Sequence, residues 1–103
     1  MDTYRPPFLR ALQKAIACTP NRNFDSGDYD ERVVLPARRL RQLADELGDT
    51  PPSQTQVREA IETLLGILEA KGVDLVEREE RIHELLEAYD LLPLFADVLL
   101  LHR

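Results

Sequence analysis

The sequence predicts an all-α fold, a compact bundle of four to five short antiparallel helices. Apolar residues recur at helical spacing in successive segments, and polar stretches with Pro or Gly separate these segments. Glycine is scarce, with 4 residues, and aromatic residues make up 6%, which disfavours a β-sandwich or barrel. The one strand-like run, 33–35, is short and meets Pro36. A chain of 103 residues is expected to form one domain, spanning 1–103.

The first two helices are predicted at about 7–17 and 36–47. A polar stretch, 19–30, reads as a loop between them, although a short helical turn over 30–35 would also fit. Gly48 suits the residue after the second helix, because glycine tolerates the left-handed conformation found there. The apolar face of the first helix is formed by Phe8, Leu9, Leu12, Ala15 and Ile16.

The third and fourth helices carry start signals of the same kind. Ser53 with Gln56 predicts a capping box for a helix that ends at Gly72. Asp74 with Glu77 predicts a second capping box, for a helix over about 75–89. The charged run 77–81 is expected to face solvent and to form ion pairs within the helix.

A fifth helix is predicted to follow Asp90, its expected cap, and to reach about residue 101. The segment 91–101 is apolar around nearly the full circumference of a helix. It is either a central helix surrounded by the others, or a helix whose second side meets a partner or another copy of the chain. The sequence leaves both interpretations open.

The charge distribution favours a protein partner. The net charge is −6, and the 11 acidic and 4 basic residues of the segment 59–103 place the surplus there. Such a surface repels phosphate backbones and suits a basic protein surface. We therefore expect a non-catalytic interaction module, such as an adaptor, inhibitor or small subunit, with a possible homo-oligomer formed through the last helix. The expected contact residues are Glu77, Glu80, Glu84, Glu87, Leu94, Phe95 and Val98.

The alternative is a DNA-binding regulator. The segment 40–48 resembles the first helix of a helix-turn-helix, ending in its turn glycine, and 53–61 resembles a recognition helix. The inserted residues 49–52 make the turn longer than that motif has, and no wing follows. In this interpretation the DNA-contacting residues are Arg38, Arg39, Arg41, Gln54, Thr55, Gln56 and Arg58.

Other classes of site find little support. Glu79, His83 and Glu87 share a helix face, and Glu80 with His83 forms one Glu-x-x-His motif, but a bundle di-metal site needs two such motifs. The Asn- and Asp-rich loop beginning at Asn21 lacks the glycine and glutamate of an EF-hand. No nucleophile–histidine set or phosphate-binding glycine loop is present, so we expect no enzyme activity, metal or cofactor.

Compartment and reactivity are predicted from the single cysteine. Cys18 cannot form an intrachain disulfide, and it follows an apolar stretch, so we expect a buried thiol and a cytoplasmic protein. The first residues lack the apolar core of a signal peptide. No apolar run reaches the about 20 residues that a membrane span requires.

Overall fold

The fold was taken from a computed structural model, which describes residues 7–22 and 27–100. Within these ranges the protein is all-α, as predicted, with no strand. The helices are α1 (Phe8–Ala17), α2 (Leu35–Leu47), α3 (Gln54–Ala70), α4 (Leu75–Ala88) and α5 (Leu92–Phe95). The radius of gyration is 13.6 Å, close to the roughly 13 Å of a folded domain of 100 residues.

α3 is the central helix of the bundle. It contacts α1, α2 and α4 as well as the turn after α5. Its apolar residues recur every three or four positions, and the side chains of this apolar face are almost completely buried. The buried residues of α3 are Val57, Ala60, Ile61, Leu64, Ile67, Leu68 and Ala70.

α2 begins one residue before its predicted start. A π-helical segment, Asp30–Val34, leads into it without a break, where the sequence allowed a short helical turn, and Val33 from this segment is buried. Pro36 lies in the first turn of α2, where its missing N–H costs nothing. The predicted loop residues 23–26 lie outside the described part of the chain.

α2 and α3 run antiparallel, side by side. Leu43 lines the same cleft as Glu59 and Ala60. Pro36, one to two turns earlier on α2, shares the adjoining cleft with Gly66, which is later on α3. Rising residue numbers on one helix therefore match falling numbers on the other, as in a helical hairpin.

α3 begins with its predicted capping box, and α3 and α4 both end in a residue with positive φ. The capping box of Ser53 and Gln56 is present: Gln56 N–H donates to the Ser53 hydroxyl at 3.2 Å, and Ser53 N–H donates to Gln56 Oε1 at 2.8 Å. Both helices end in a left-handed residue, Gly72 with a φ of 88° and Asp90 with a φ of 57°. Asp90 thus ends α4 and does not cap α5, contrary to our expectation.

The predicted fifth helix begins where expected, after Asp90, but its predicted length is wrong. α5 is a single turn, a 3-10 turn (Ala96–Val98) follows it, and the backbone is extended at Leu99. Phe95 and Leu99 are buried, whereas Leu94 and Leu100 are more than half exposed. The segment 92–100 therefore covers one end of the core and is not a central helix. We call this segment the strap. Residue 101 lies outside the described part of the chain.

Candidate functional site

The charged residues of α4 lie on two sides of the helix, one facing the body of the protein and one facing solvent. Its basic residues turn toward the body of the protein: Arg78 donates to the carbonyl of Val73 at 2.9 Å, and Arg81 donates to Glu77 at 3.0 Å. Arg81 also donates to the hydroxyl of Thr19, which joins α4 to the end of α1. The outward side of α4 is consequently left to acidic residues.

Glu77 belongs to the inward side. Its carboxylate accepts two hydrogen bonds from Arg22, at 2.7 and 3.3 Å, and one from Arg81. The hydrogen bond and charge of Arg22 lower the pKa of Glu77 below 4.5, and Arg81 adds a smaller effect in the same direction. The predicted capping of α4 is present in part, since Asp74 accepts from the N–H of Glu77 at 2.9 Å. The side chain of Glu77 accepts hydrogen bonds from Arg22 and Arg81.

The remaining three acidic residues of the predicted contact surface form an exposed line on α4. We call Glu80, Glu84 and Glu87 the outer acidic row. Their spacing of four and three residues places them on one helix face, and all three are exposed. Glu80 and Glu84 form no ion pair with any residue that the structure describes, and Glu87 lies 3.5 Å from His83. Val76, one turn before Glu80, is 54% exposed and extends the row with an apolar residue.

Glu79 corrects the expectation that the charged run of α4 faces solvent. Its side chain is 2% exposed, and its Oε2 accepts a hydrogen bond from Leu100 N–H at 2.8 Å. A buried carboxylate requires such a partner. Glu79 is therefore committed to the fold, and it is unavailable as a ligand beside His83 and Glu87.

The apolar part of the predicted contact surface is divided by the structure. Phe95 is 1% exposed and lies in the core, so it is not a surface residue. Leu94 is 53% exposed and Val98 is half-buried. Of the three, only Leu94 is an exposed residue that a partner could contact.

The residues of the DNA-binding alternative have differing surroundings. Gln54 and Thr55 are exposed at the start of α3, but Gln56 is used in the capping box. Arg58 donates to both carboxylate oxygens of Asp97, at 2.7 and 3.3 Å, and lies over the ring of Phe95 at 5.5 Å. These contacts attach α3 to the C-terminal strap and occupy the guanidinium that would read a base. On α2, all three arginines, Arg38, Arg39 and Arg41, are exposed.

Side chains suited to metals do not converge. Across residues 7–22 and 27–100, no group of three or more His, Cys, Asp or Glu side chains could hold a metal ion. Of the loop residues considered for calcium, Asn23 and Asp25 lie outside the described part of the chain. Cys18 is exposed, contrary to our expectation, because it follows the last turn of α1 and leaves the apolar face.

Lys71 is a buried cation whose role the sequence pattern does not indicate. It is 7% exposed, and its Nζ donates to the carbonyls of Ile16 and Thr19, both at 2.9 Å. It thus satisfies carbonyls at the end of α1, the role that cations take at helix C-termini. Burial lowers its pKa below 10.5. One sequence feature could have indicated this role: Lys71 is isolated from other basic residues, as the one Lys or Arg between Arg58 and Arg78.

The described helices lack the combined length and apolar character needed to cross a bilayer. Comparison with known proteins finds no match to the chain, either among family models or among curated proteins and solved structures.

Proposed function

We propose that the chain is a non-catalytic protein-interaction module, and that it binds a basic protein surface through the outer acidic row. The observation that supports this most is the sorting of charge on α4. Its arginines are turned inward to Val73, Thr19 and Glu77, so Glu80 and Glu84 have no counter-ion among the described residues.

The row is unfavourable for the isolated helix. Like charges three or four positions apart destabilise a helix by about 0.2–0.5 kcal/mol per pair. A helix selected only for stability would carry basic residues at some of these positions. A partner that presents Lys or Arg side chains would offset the repulsion, and Val76, one turn before Glu80, would supply apolar contact area.

DNA binding is the second candidate, and one observation favours it: Arg38, Arg39 and Arg41 are exposed and form no ion pair with a described residue. The engagement of Arg58 with Asp97 and Phe95 argues for the first proposal. In addition, the side-by-side antiparallel packing of α2 and α3 is that of an ordinary helical hairpin.

The test is a pull-down from source lysate treated with nuclease, with three versions of the full chain. The first is the native sequence, the second replaces Glu80, Glu84 and Glu87 by Lys, and the third replaces three exposed acids elsewhere by Lys. The control positions are Glu31, Glu46 and Asp49, so the net charge of the two variants is equal.

We expect a protein retained in near-stoichiometric amount by the native chain and by the control variant, and lost by the outer-row variant. A partner retained equally by all three chains would overturn the proposal. Nucleic acid recovered without nuclease, and lost after charge reversal at Arg38, Arg39 and Arg41, would establish the DNA-binding alternative in its place.

A further inference from the structure

An open groove runs between α2 and α3, on a face that the outer acidic row does not use. It consists of two adjoining clefts of about 500 and 320 Å³, which share Arg39, Glu62 and Thr63. Apolar residues such as Leu40, Ala60 and Ile67 form its floor. We call this feature the α2–α3 groove.

The two rims of the α2–α3 groove carry opposite charges. Arg32 and Arg39 line it on the α2 side, and acidic residues line it on the α3 side. Arg39 and Glu62 lie at the same level of the groove, and Arg32 and Glu69 lie at the next level. Neither pair closes into an ion pair across the groove. The ion pair of Arg32, with 3.9 Å between its Nε and Asp28 Oδ2, lies on its own side of the groove. The acidic residues of the α3 rim are Glu59, Glu62 and Glu69.

We propose that the α2–α3 groove is the interface between two copies of this chain. A two-fold axis parallel to the groove, lying between the copies, places the basic rim of each copy over the acidic rim of the other. Because residues at the same level face each other under this rotation, Arg39 of each copy meets Glu62 of its partner. Arg32 likewise meets Glu69. The charge pattern of one face is therefore complementary to itself.

Helix direction agrees with this arrangement. α2 and α3 are antiparallel, and the rotation preserves direction along the groove, so α2 of one copy runs antiparallel to the facing α3 of the other. The four helices then alternate in direction, as in an up-down four-helix bundle. Leu35, at the first position of α2 and one turn before Arg39, is 42% exposed and adds an apolar residue beside the groove. A polyanion would be repelled by the α3 rim.

The test is the mass of the protein in solution, measured by sedimentation velocity over a concentration series. The native chain, of 11.8 kDa, is expected to shift toward twice that mass as concentration rises, and added salt is expected to weaken the shift. Arg39→Glu and Glu62→Arg are each expected to raise the dissociation constant by about tenfold or more, because each homodimer then contains two like-charged pairs. Arg38→Glu, at an exposed position that does not line the groove, is the control and leaves the dissociation constant unchanged.

Mixing the two variants is the decisive step. In a heterodimer of Arg39→Glu and Glu62→Arg, both cross-pairs are opposite in charge, so an equimolar mixture is expected to recover the native dimer mass. This recovery also shows that both variants are folded. The proposal is overturned if the native chain is a monomer at every concentration, if its dimer survives both substitutions, or if the mixture stays monomeric.

Discussion

Glu79 on α4 holds the backbone of Leu100, twenty-one positions later in the chain, through a hydrogen bond of 2.8 Å to the Leu100 N–H. The carboxylate is 2% exposed, whereas the side chain of Leu100 is 56% exposed. The contact therefore fixes the path of the strap, while its last described side chain remains on the surface. Phe95 and Leu99 enter the core between the two ends of this connection.

Replacing Glu79 by Ala is expected to lower the free energy of unfolding by about 1–3 kcal/mol, because it leaves the N–H of Leu100 without its acceptor and opens a void. Urea denaturation measures the change, and hydrogen exchange at Leu100 reports it locally. The matched control is Glu80→Ala on the exposed side of α4, which should change stability by less than about 0.5 kcal/mol. Equal losses in the two variants would contradict this prediction.

Replacing Lys71 by Met is expected to destabilise the protein by about 1–3 kcal/mol. Met keeps the aliphatic stem but leaves the carbonyls of Ile16 and Thr19 without the Nζ donor. The loss should depend on pH. Burial lowers the pKa of Lys71 below 10.5, so the unfolded chain binds more protons between the lowered value and 10.5, and the native protein gains stability as pH rises through that window. Urea denaturation across alkaline pH should show this gain in the native chain, and its presence in Lys71→Met would refute the assignment.

Glu77 is expected to titrate below pH 4.5, because Arg22 and then Arg81 stabilise its carboxylate. Its contribution to stability is therefore complete above the unfolded pKa and is lost as pH falls through the lower, folded pKa. Arg22→Gln should raise the pKa of Glu77 toward 4.5, and Arg81→Gln should raise it less. An NMR titration of the Glu77 carboxyl carbon measures both shifts. A larger effect from Arg81 would reverse the assigned order.

Asp90 and Gly48 provide two backbone tests at positive φ, with values of 57° and 56°. An L side chain is strained in this region, so Asp90→Gly should stabilise the protein by up to about 1 kcal/mol. Gly48→Ala should destabilise it by about 1–3 kcal/mol, because the φ of 56° combined with a ψ of −117° lies outside the left-handed helical region and is available essentially only to glycine. The effect comes from conformation alone, since a Cβ there would meet no atom within 4 Å. Thermal unfolding of both variants gives the two signs. A loss of stability in Asp90→Gly would show that the aspartate side chain outweighs its backbone strain.

Cys18 is exposed and should react with a thiol reagent in the native protein. We expect one thiol per chain to be labelled without denaturant, at a rate that denaturant raises only modestly. A Cys18→Ser chain supplies the background signal. Labelling that appears only after unfolding would support the buried thiol that the sequence predicted.

Four of the helices could be predicted from the sequence because their signals are local. The apolar spacing of α1 and α3 is complete within each segment, and the Ser53 capping box depends on residues three positions apart. The end of α3 is equally local, since Gly72 adopts the left-handed conformation that its residue type favours. These features needed no knowledge of what packs against them.

The features that the sequence misplaced depend on distant residues. Glu79 is surrounded by charged neighbours in the chain, and only the return of the strap to α4 buries it. Lys71 likewise takes its role from the end of α1, more than fifty positions earlier. The apolar segment after Asp90 was predicted to be a long helix, because its composition does not reveal that Phe95 and Leu99 fill one end of an existing core. In the candidate site, helical spacing predicts the exposure of Glu80, Glu84 and Glu87. The ion pair of Glu77 with Arg22, by contrast, joins residues that are far apart in the sequence.

The anchoring of Leu100 to Glu79 also bears on how the protein emerges from the ribosome. The chain is made in order, and early segments begin to fold before late ones exist. When α4 has left the exit tunnel but the strap has not, the Glu79 carboxylate lacks its donor, the Leu100 N–H, and the core end later filled by Phe95 and Leu99 is open to water. The nascent helices consequently expose apolar surface until the strap has left the tunnel, and a chaperone would bind them during this interval.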